Sequence, residues 1–192
     1  MKKLKFKNGK LYLSLLFLLL VFSAKKYLID NVNIFNYSSF IEEYSYKTFN
    51  ENDIEMCSFV RAKDGDTLVI NINGTEDIVR LVEIDTPESV HPNTGKNSIE
   101  GIKASNYVKS LLSENQILYL TKDITDRDQY GRLLRLVWLE KPITDKKEEL
   151  RNKCLNANLL LNGYAKVVMY DDYNYQRIFK EFEREGVNNN YE

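Results

Sequence analysis

Hydrophobic residues cluster in five short stretches between Cys57 and Leu139. They are Cys57–Ala62 (CSFVRA), Thr67–Ile72 (TLVINI), Ile78–Ile84 (IVRLVEI), Gln116–Thr121 (QILYLT) and Leu133–Leu139 (LLRLVWL). Each is short, holds β-branched or aromatic residues and is bounded by turn formers, which predicts five strands. Asn73-Gly74 sits between the second and third. Both residues tolerate positive φ, so the pair predicts a tight hairpin. Helical spacing replaces the strand pattern elsewhere. Ala104, Val108 and Leu111 recur within 99–113. Asp145 with Glu148 reads as a capping box for a helix running to Asn162, with Gly163 closing it. Tyr175, Ile178, Phe179 and Phe182 mark a third helix. Five antiparallel strands and three helices predict an α+β fold, a small β-barrel with helices packed on it.

The first residues break this pattern. Five lysines and no acid occur in 1–23, and Leu11–Ala24 is an apolar run that Lys25-Lys26 ends. The run is shorter than the ~20 residues a membrane-spanning helix needs. A basic start followed by such a run predicts an export signal, cut before Ala24, or a retained membrane tether through residues 11–24. Either puts the body outside the cytoplasm, secreted or anchored. Residues 25–55 show no sustained period and read as a spacer. The folded domain is expected over 56–187, with 188–192 as a tail.

Composition narrows the chemistry. One histidine and two cysteines exclude a four-ligand structural zinc site and a disulfide-dense scaffold. The lone His91 sits in a polar loop and carries no assigned role. Whether Cys57 and Cys154 pair is open at this level. The chain has a net charge of −1, and the five N-terminal lysines leave −6 on the rest. An acidic body does not hold polyanions by bulk charge, so work on nucleic acid needs a local cationic site or a metal.

Four segments carry candidate chemistry: Asp64-Gly65-Asp66-Thr67, Arg80, Asp85-Thr86-Pro87-Glu88 and Asp128-Gln129-Tyr130-Gly131-Arg132. A two-residue turn pairs Ile72 with Thr75, and counting back sets Thr67 opposite Arg80. Asp66 and Asp85 then converge on one rim. Carboxylates with a backbone carbonyl make an oxygen-only site for a hard cation, calcium or magnesium. Arginines beside it suit phosphate, because their forked donors match its oxygens. A spare carboxylate can take a proton from water. Together these are the parts of phosphoryl hydrolysis, and Tyr130 is placed to stack on a base. The competing reading is a barrel that binds single strands on its aromatics and cuts nothing.

The segments together resemble the staphylococcal nuclease-like (thermonuclease) family. The likeness runs from about Met56 to Val187 through DGDT (64–67), RLVEIDTPE (80–88), HP (91–92), EGIKAS (100–105), DQYGR (128–132) and NGYAKV (162–167). It implies a five-stranded OB-type barrel with three helices. It implies a calcium-dependent endonuclease that cuts DNA and RNA and leaves 3′-phosphate ends; single strands are the favoured substrate and a monomer is the expected state. By the resemblance, Asp66 and Asp85 are calcium ligands, Thr86 adds its carbonyl, and Asp64 reaches the ion through water. Glu88 is the general base, and Arg80 and Arg132 bind phosphate. A tyrosine flanking the base aligns near Tyr170. Glu140–Arg151 reads as an insertion relative to the family.

Overall fold

The computed structural model describes residues 26, 46–88, 98–168 and 174–189. The apolar run, His91 and Tyr170 lie outside the described residues. The chain divides into two compact units, Met1–Tyr46 and Lys47–Glu192; only the second is described in any detail. Among the described residues no helix is long and apolar enough to cross a membrane.

Five strands close a barrel in the order β1-β2-β3-β6-β5. They are β1 (Ile54–Ala62), β2 (Thr67–Ile72), β3 (Thr75–Leu81), β5 (Ile117–Arg127) and β6 (Leu133–Trp138). Two short strands, β4 (Ile84–Asp85) and β7 (Lys166–Val167), pair beside it. The hairpin is as expected: Asn73 and Gly74 take φ of 53° and 87°, Ile72 faces Thr75, and Thr67 faces Arg80.

The strands are not all antiparallel, because β3 and β6 run parallel. The reason is topological: five strands in a closed ring cannot alternate direction all the way round. Nor does the third strand reach Ile84. It stops at Leu81, and the chain bends at Val82-Glu83, where Glu83 has a φ of 63°. Buried Asn156 fixes that bend. Its Nδ2 donates to the Val82 carbonyl at 2.9 Å, and its Oδ1 accepts the Val137 N–H at 3.0 Å. After the bend β4 leaves the barrel sheet and pairs with β7, Asp85 facing Lys166 in the register.

Among the residues described from 46 onward, four α-helices accompany the barrel where three were expected. Helix α1 (Ile99–Leu111) starts at Ser98, whose Oγ accepts the Gly101 N–H at 2.9 Å. The second expected helix is two, α2 (Lys147–Lys153) and α3 (Leu155–Leu161). Cys154 adopts an extended conformation between them (φ −90°, ψ 123°) and makes a β-bridge to Trp138, which breaks the helical ladder. Asp145 does not cap α2; Lys146 stands at that position. The Asp145 carboxylate instead accepts the Lys47 N–H at 2.6 Å and the Tyr175 hydroxyl at 3.0 Å. Helix α4 (Gln176–Asn189) runs two residues into the stretch expected to be a tail.

The expected spacer is also shorter than its reading. Phe49 packs edge-on against Trp138, with ring centroids 5.8 Å apart, and β1 begins at Ile54. Leu68, Ile70, Val79, Leu118, Leu120 and Leu136 are fully buried from the barrel strands, and Leu155, Leu159, Phe179 and Phe182 from the helices. Burying side chains of this size stabilises by roughly 1.5–3 kcal/mol each. Cys57 and Cys154 are both buried and both free, so the two thiols are unpaired here.

Candidate active site

The hairpin register places Asp66 at the mouth of β2, beside Arg80 on β3. Arg80 Nη1 lies 2.7 Å from Asp66 Oδ2, and Nη2 lies 2.6 Å from Asp85 Oδ1. One guanidinium thus brings together the two carboxylates that sequence spacing set on one rim. Asp66 is further held by Thr86, whose N–H and Oγ donate to Oδ2 at 2.8 and 3.1 Å, and by the Thr67 hydroxyl at 3.0 Å to Oδ1. Burial pushes the Asp66 carboxyl above its ordinary range, outweighing the pull of Arg80 and the Thr86 N–H. Gly65 makes this approach feasible: a Cβ there would sit 2.8 Å from Thr86 Oγ and 2.9 Å from the Ala104 side chain.

A cavity of about 360 Å³ opens over this pair. Lys63, Asp64, Asp66, Thr67, Arg80, Asp85, Thr86, Glu88 and Arg132 line it. The structure therefore gathers Asp64, Asp66, Arg80, Asp85, Thr86, Glu88 and Arg132 at one opening, from four separate stretches of chain. Asp85 and Glu88 are exposed and Asp66 is buried. Asp64 Oδ1 accepts the Gly65 N–H at 2.8 Å and shapes the turn. Glu88 is steadied through its backbone: its carbonyl accepts the Ser98 N–H at 3.0 Å where α1 begins.

Arg132 reaches the cavity from the β5–β6 turn. Its Nε donates to Asp128 Oδ2 at 2.6 Å, and its guanidinium carbon lies 5.4 Å from the centre of the Tyr130 ring. Tyr130 is 75% exposed. A second opening of about 340 Å³ shares the two arginines with the first. Leu81, Val82, Glu83, Ile84, Asp128, Gln129, Tyr130 and Leu134 line it together with the arginines. Sequence reading missed Lys63 and Leu134, and it singled out the segment holding Asp128 and Gln129 without giving either residue a role. A signal existed for Asp128, since Asp-x-x-Gly is a turn pattern in which the aspartate bonds its own backbone.

Among the described residues, no group of three or more His, Cys, Asp or Glu side chains stands close enough to hold a metal ion. The donor chemistry still suits a hard cation. Asp66 and Asp85 offer only oxygen and already converge on one positive group. Carbonyl and water oxygens commonly complete such a set for calcium. Soft metals lack a thiolate or imidazole there.

Comparison with known proteins agrees with this geometry. Residues 78–189 match the family model described as Staphylococcal nuclease homologue. The chain is 32% identical over 128 residues to a thermonuclease of Staphylococcus hyicus, covering 66% of this chain and 68% of that one. It is 36% identical over 121 residues to a thermonuclease of Staphylococcus intermedius, covering 63% and 64%. It is 37% identical over 129 residues to the SPbeta prophage-derived endonuclease YokF of Bacillus subtilis, covering 66% of this chain and 39% of that longer one. With more than half its length in that match and its acids and arginines at one cavity, the chain belongs to the staphylococcal nuclease homologue family.

Proposed function

We propose that this protein is a calcium-dependent endonuclease that hydrolyses phosphodiester bonds of DNA and RNA, prefers single strands and leaves 3′-phosphate ends. The observation that carries the reading is the Arg80 bridge between Asp66 and Asp85, in a cavity that Glu88 and Arg132 also line. Family membership and relatives named as nucleases support it.

Asp66, Asp85 and the Thr86 carbonyl would hold calcium, with Asp64 reaching it through water. When bound, calcium neutralises phosphate charge and stabilises the charge that grows in the transition state. Arg80 and Arg132 grip the phosphate oxygens as charge builds on them. Glu88 takes a proton from a water molecule, whose oxygen forms a bond to phosphorus. The bond from phosphorus to the 5′ oxygen breaks, that oxygen takes a proton from solvent water as it leaves, and the phosphate stays on the 3′ side. Tyr130 and the opening beside it receive a base, as the exposed ring and the apolar side chains of Leu81 and Leu134 in the lining support. Tyr170 is a second stacking candidate. The protein works as a monomer outside the cytoplasm, exported by its first 24 residues or tethered through them.

Digestion of single-stranded DNA and of RNA under calcium titration tests this, with end-group analysis of the products. Cleavage should require calcium, stop in chelator and leave 3′-phosphates. Undiminished cleavage in chelator rejects the metal role. Binding without any cleavage leaves a single-strand-binding module instead. Fractionation of cells against culture medium separates the tethered from the secreted form.

A further inference from the structure

We propose that Asp128 is a positioning residue for the phosphate-gripping arginine: it sets the Arg132 guanidinium with its Nη edge available to the scissile phosphate. The inference rests on the assignment of Arg132 to that phosphate.

The two oxygens of one carboxylate do separate jobs. Oδ1 accepts the backbone N–H groups of Tyr130 and Arg132, both at 2.9 Å. These bonds fold the turn, together with Asp128 N–H to the Arg132 carbonyl and Gly131 N–H to the Asp128 carbonyl, each at 3.0 Å. Oδ2 takes no part in the turn and accepts Arg132 Nε at 2.6 Å. Nε is the donor that a bidentate Nη grip on phosphate does not need. The side chain of Asp128 is 16% exposed and that of Arg132 is 29% exposed, so the bond is shielded on much of its surface. Burial raises the Asp128 carboxyl, but Arg132 and the two backbone N–H groups more than reverse this, and its pKa falls below the ordinary value. The clamp is therefore an anion throughout the neutral range.

The turn is itself fastened. Arg127 Nη1 donates to the Gly131 carbonyl at 2.5 Å, and Arg127 Nη2 lies 2.6 Å from Asp77 Oδ2 on β3. That strand also carries Arg80, so both arginines are referenced to one rigid element. A long arginine loses much rotamer freedom when it grips a ligand, and a clamp on Nε removes part of that loss beforehand. Misplacement of a reacting partner by about 1 Å can cost ~10²-fold in rate.

Asp128→Asn separates the two jobs. Its Oδ1 can still accept both backbone N–H groups, while its amide cannot accept from Nε. We expect a melting temperature within a few degrees of the parent, kcat down ~10- to 100-fold and KM within about threefold. Asp128→Ser, whose hydroxyl also supports such a turn, should behave alike and covers the case in which the asparagine variant folds poorly. Arg132→Ala is measured beside them, and the double variant Asp128→Asn/Arg132→Ala should be no slower than Arg132→Ala. A fully active Arg132→Ala removes the assignment of Arg132, and this inference with it. A slow Arg132→Ala with full-speed Asp128→Asn and Asp128→Ser overturns this inference alone, as does an additive double variant.

Discussion

Arg80 bridges Asp66 and Asp85, with contacts of 2.7 and 2.6 Å to carboxylates nineteen positions apart in the chain. Asp66 and Arg80 are brought together by the hairpin register, and Asp85 by the bend that ends β3. The guanidinium serves as the counter-charge of a site where two acids would otherwise face each other.

Loss of that counter-charge should cost stability. In Arg80→Ala the buried Asp66 is left without its cation, and breaking a buried pair costs roughly 3–5 kcal/mol. Urea denaturation at neutral pH in chelator measures this. Calcium should return part of the loss, because a ligand bound only by the folded state stabilises it by mass action. The cleavage rate should fall by ~10²–10³. A variant as stable as its parent in chelator would show that the pairing contributes little.

Glu83 makes stability fall with rising pH. Burial lifts its pKa from 4.5 to about 8, and the Asp123 carboxylate on β5 adds to the rise against the Tyr175 N–H. Oε1 accepts that N–H at 3.0 Å, while Oε2 is buried without a hydrogen-bond partner. The Cys154 thiol is the other titrating group that senses it. Between the two pKa values the folded chain keeps a proton that the unfolded chain has lost. Stability therefore declines as pH rises through that window and flattens above about 8. Glu83→Gln should match the parent near pH 5 and surpass it near pH 8. Parallel melting curves for the two proteins across this range would refute the titration.

Neither thiol should react in the folded protein. Burial pushes Cys57 and Cys154 each up to about 12, so the nucleophilic thiolate is scarce at pH 8. An alkylating reagent should label neither residue in native protein and both in urea. Reductant should leave the melting temperature unchanged, since the thiols are unpaired. Rapid native labelling would mean that the barrel at Cys57 or the helical layer at Cys154 opens readily.

Gly101 lets helix α1 hold the loop that presents Glu88. A Cβ at this position would lie 2.3 Å from the Glu88 carbonyl oxygen and 2.5 Å from that of Pro87. Alanine ordinarily favours a helix by about 1 kcal/mol over glycine. Here the clash with backbone reverses the sign, and Gly101→Ala should be destabilised and displace Glu88. We expect a kcat drop of ~10-fold or more with a smaller change in KM. Kinetics and thermal melts of the variant decide it: full kcat would detach Glu88 from the helix start.

Local chemistry wrote much of this fold into the sequence. Asn73-Gly74 can form few turns other than a tight hairpin, and that turn alone sets Thr67 opposite Arg80. The strand cores and the three helical regions followed from periodicity, and the grouping of acids with arginines followed from the register. Only the tertiary structure decided what depends on contacts distant in sequence. The bridge from Cys154 to Trp138 splits a helix whose sequence reads as continuous. Asp145 is drawn from its capping position to Lys47 and Tyr175. Asn156 reaches across to hold the bend at Val82, just past the end of β3 and beside the buried Glu83. Ring closure by five strands demands a parallel pair that no single strand announces. In each case a long-range hydrogen bond or the closure of the sheet outweighs a local preference worth only a fraction of a kcal/mol per residue.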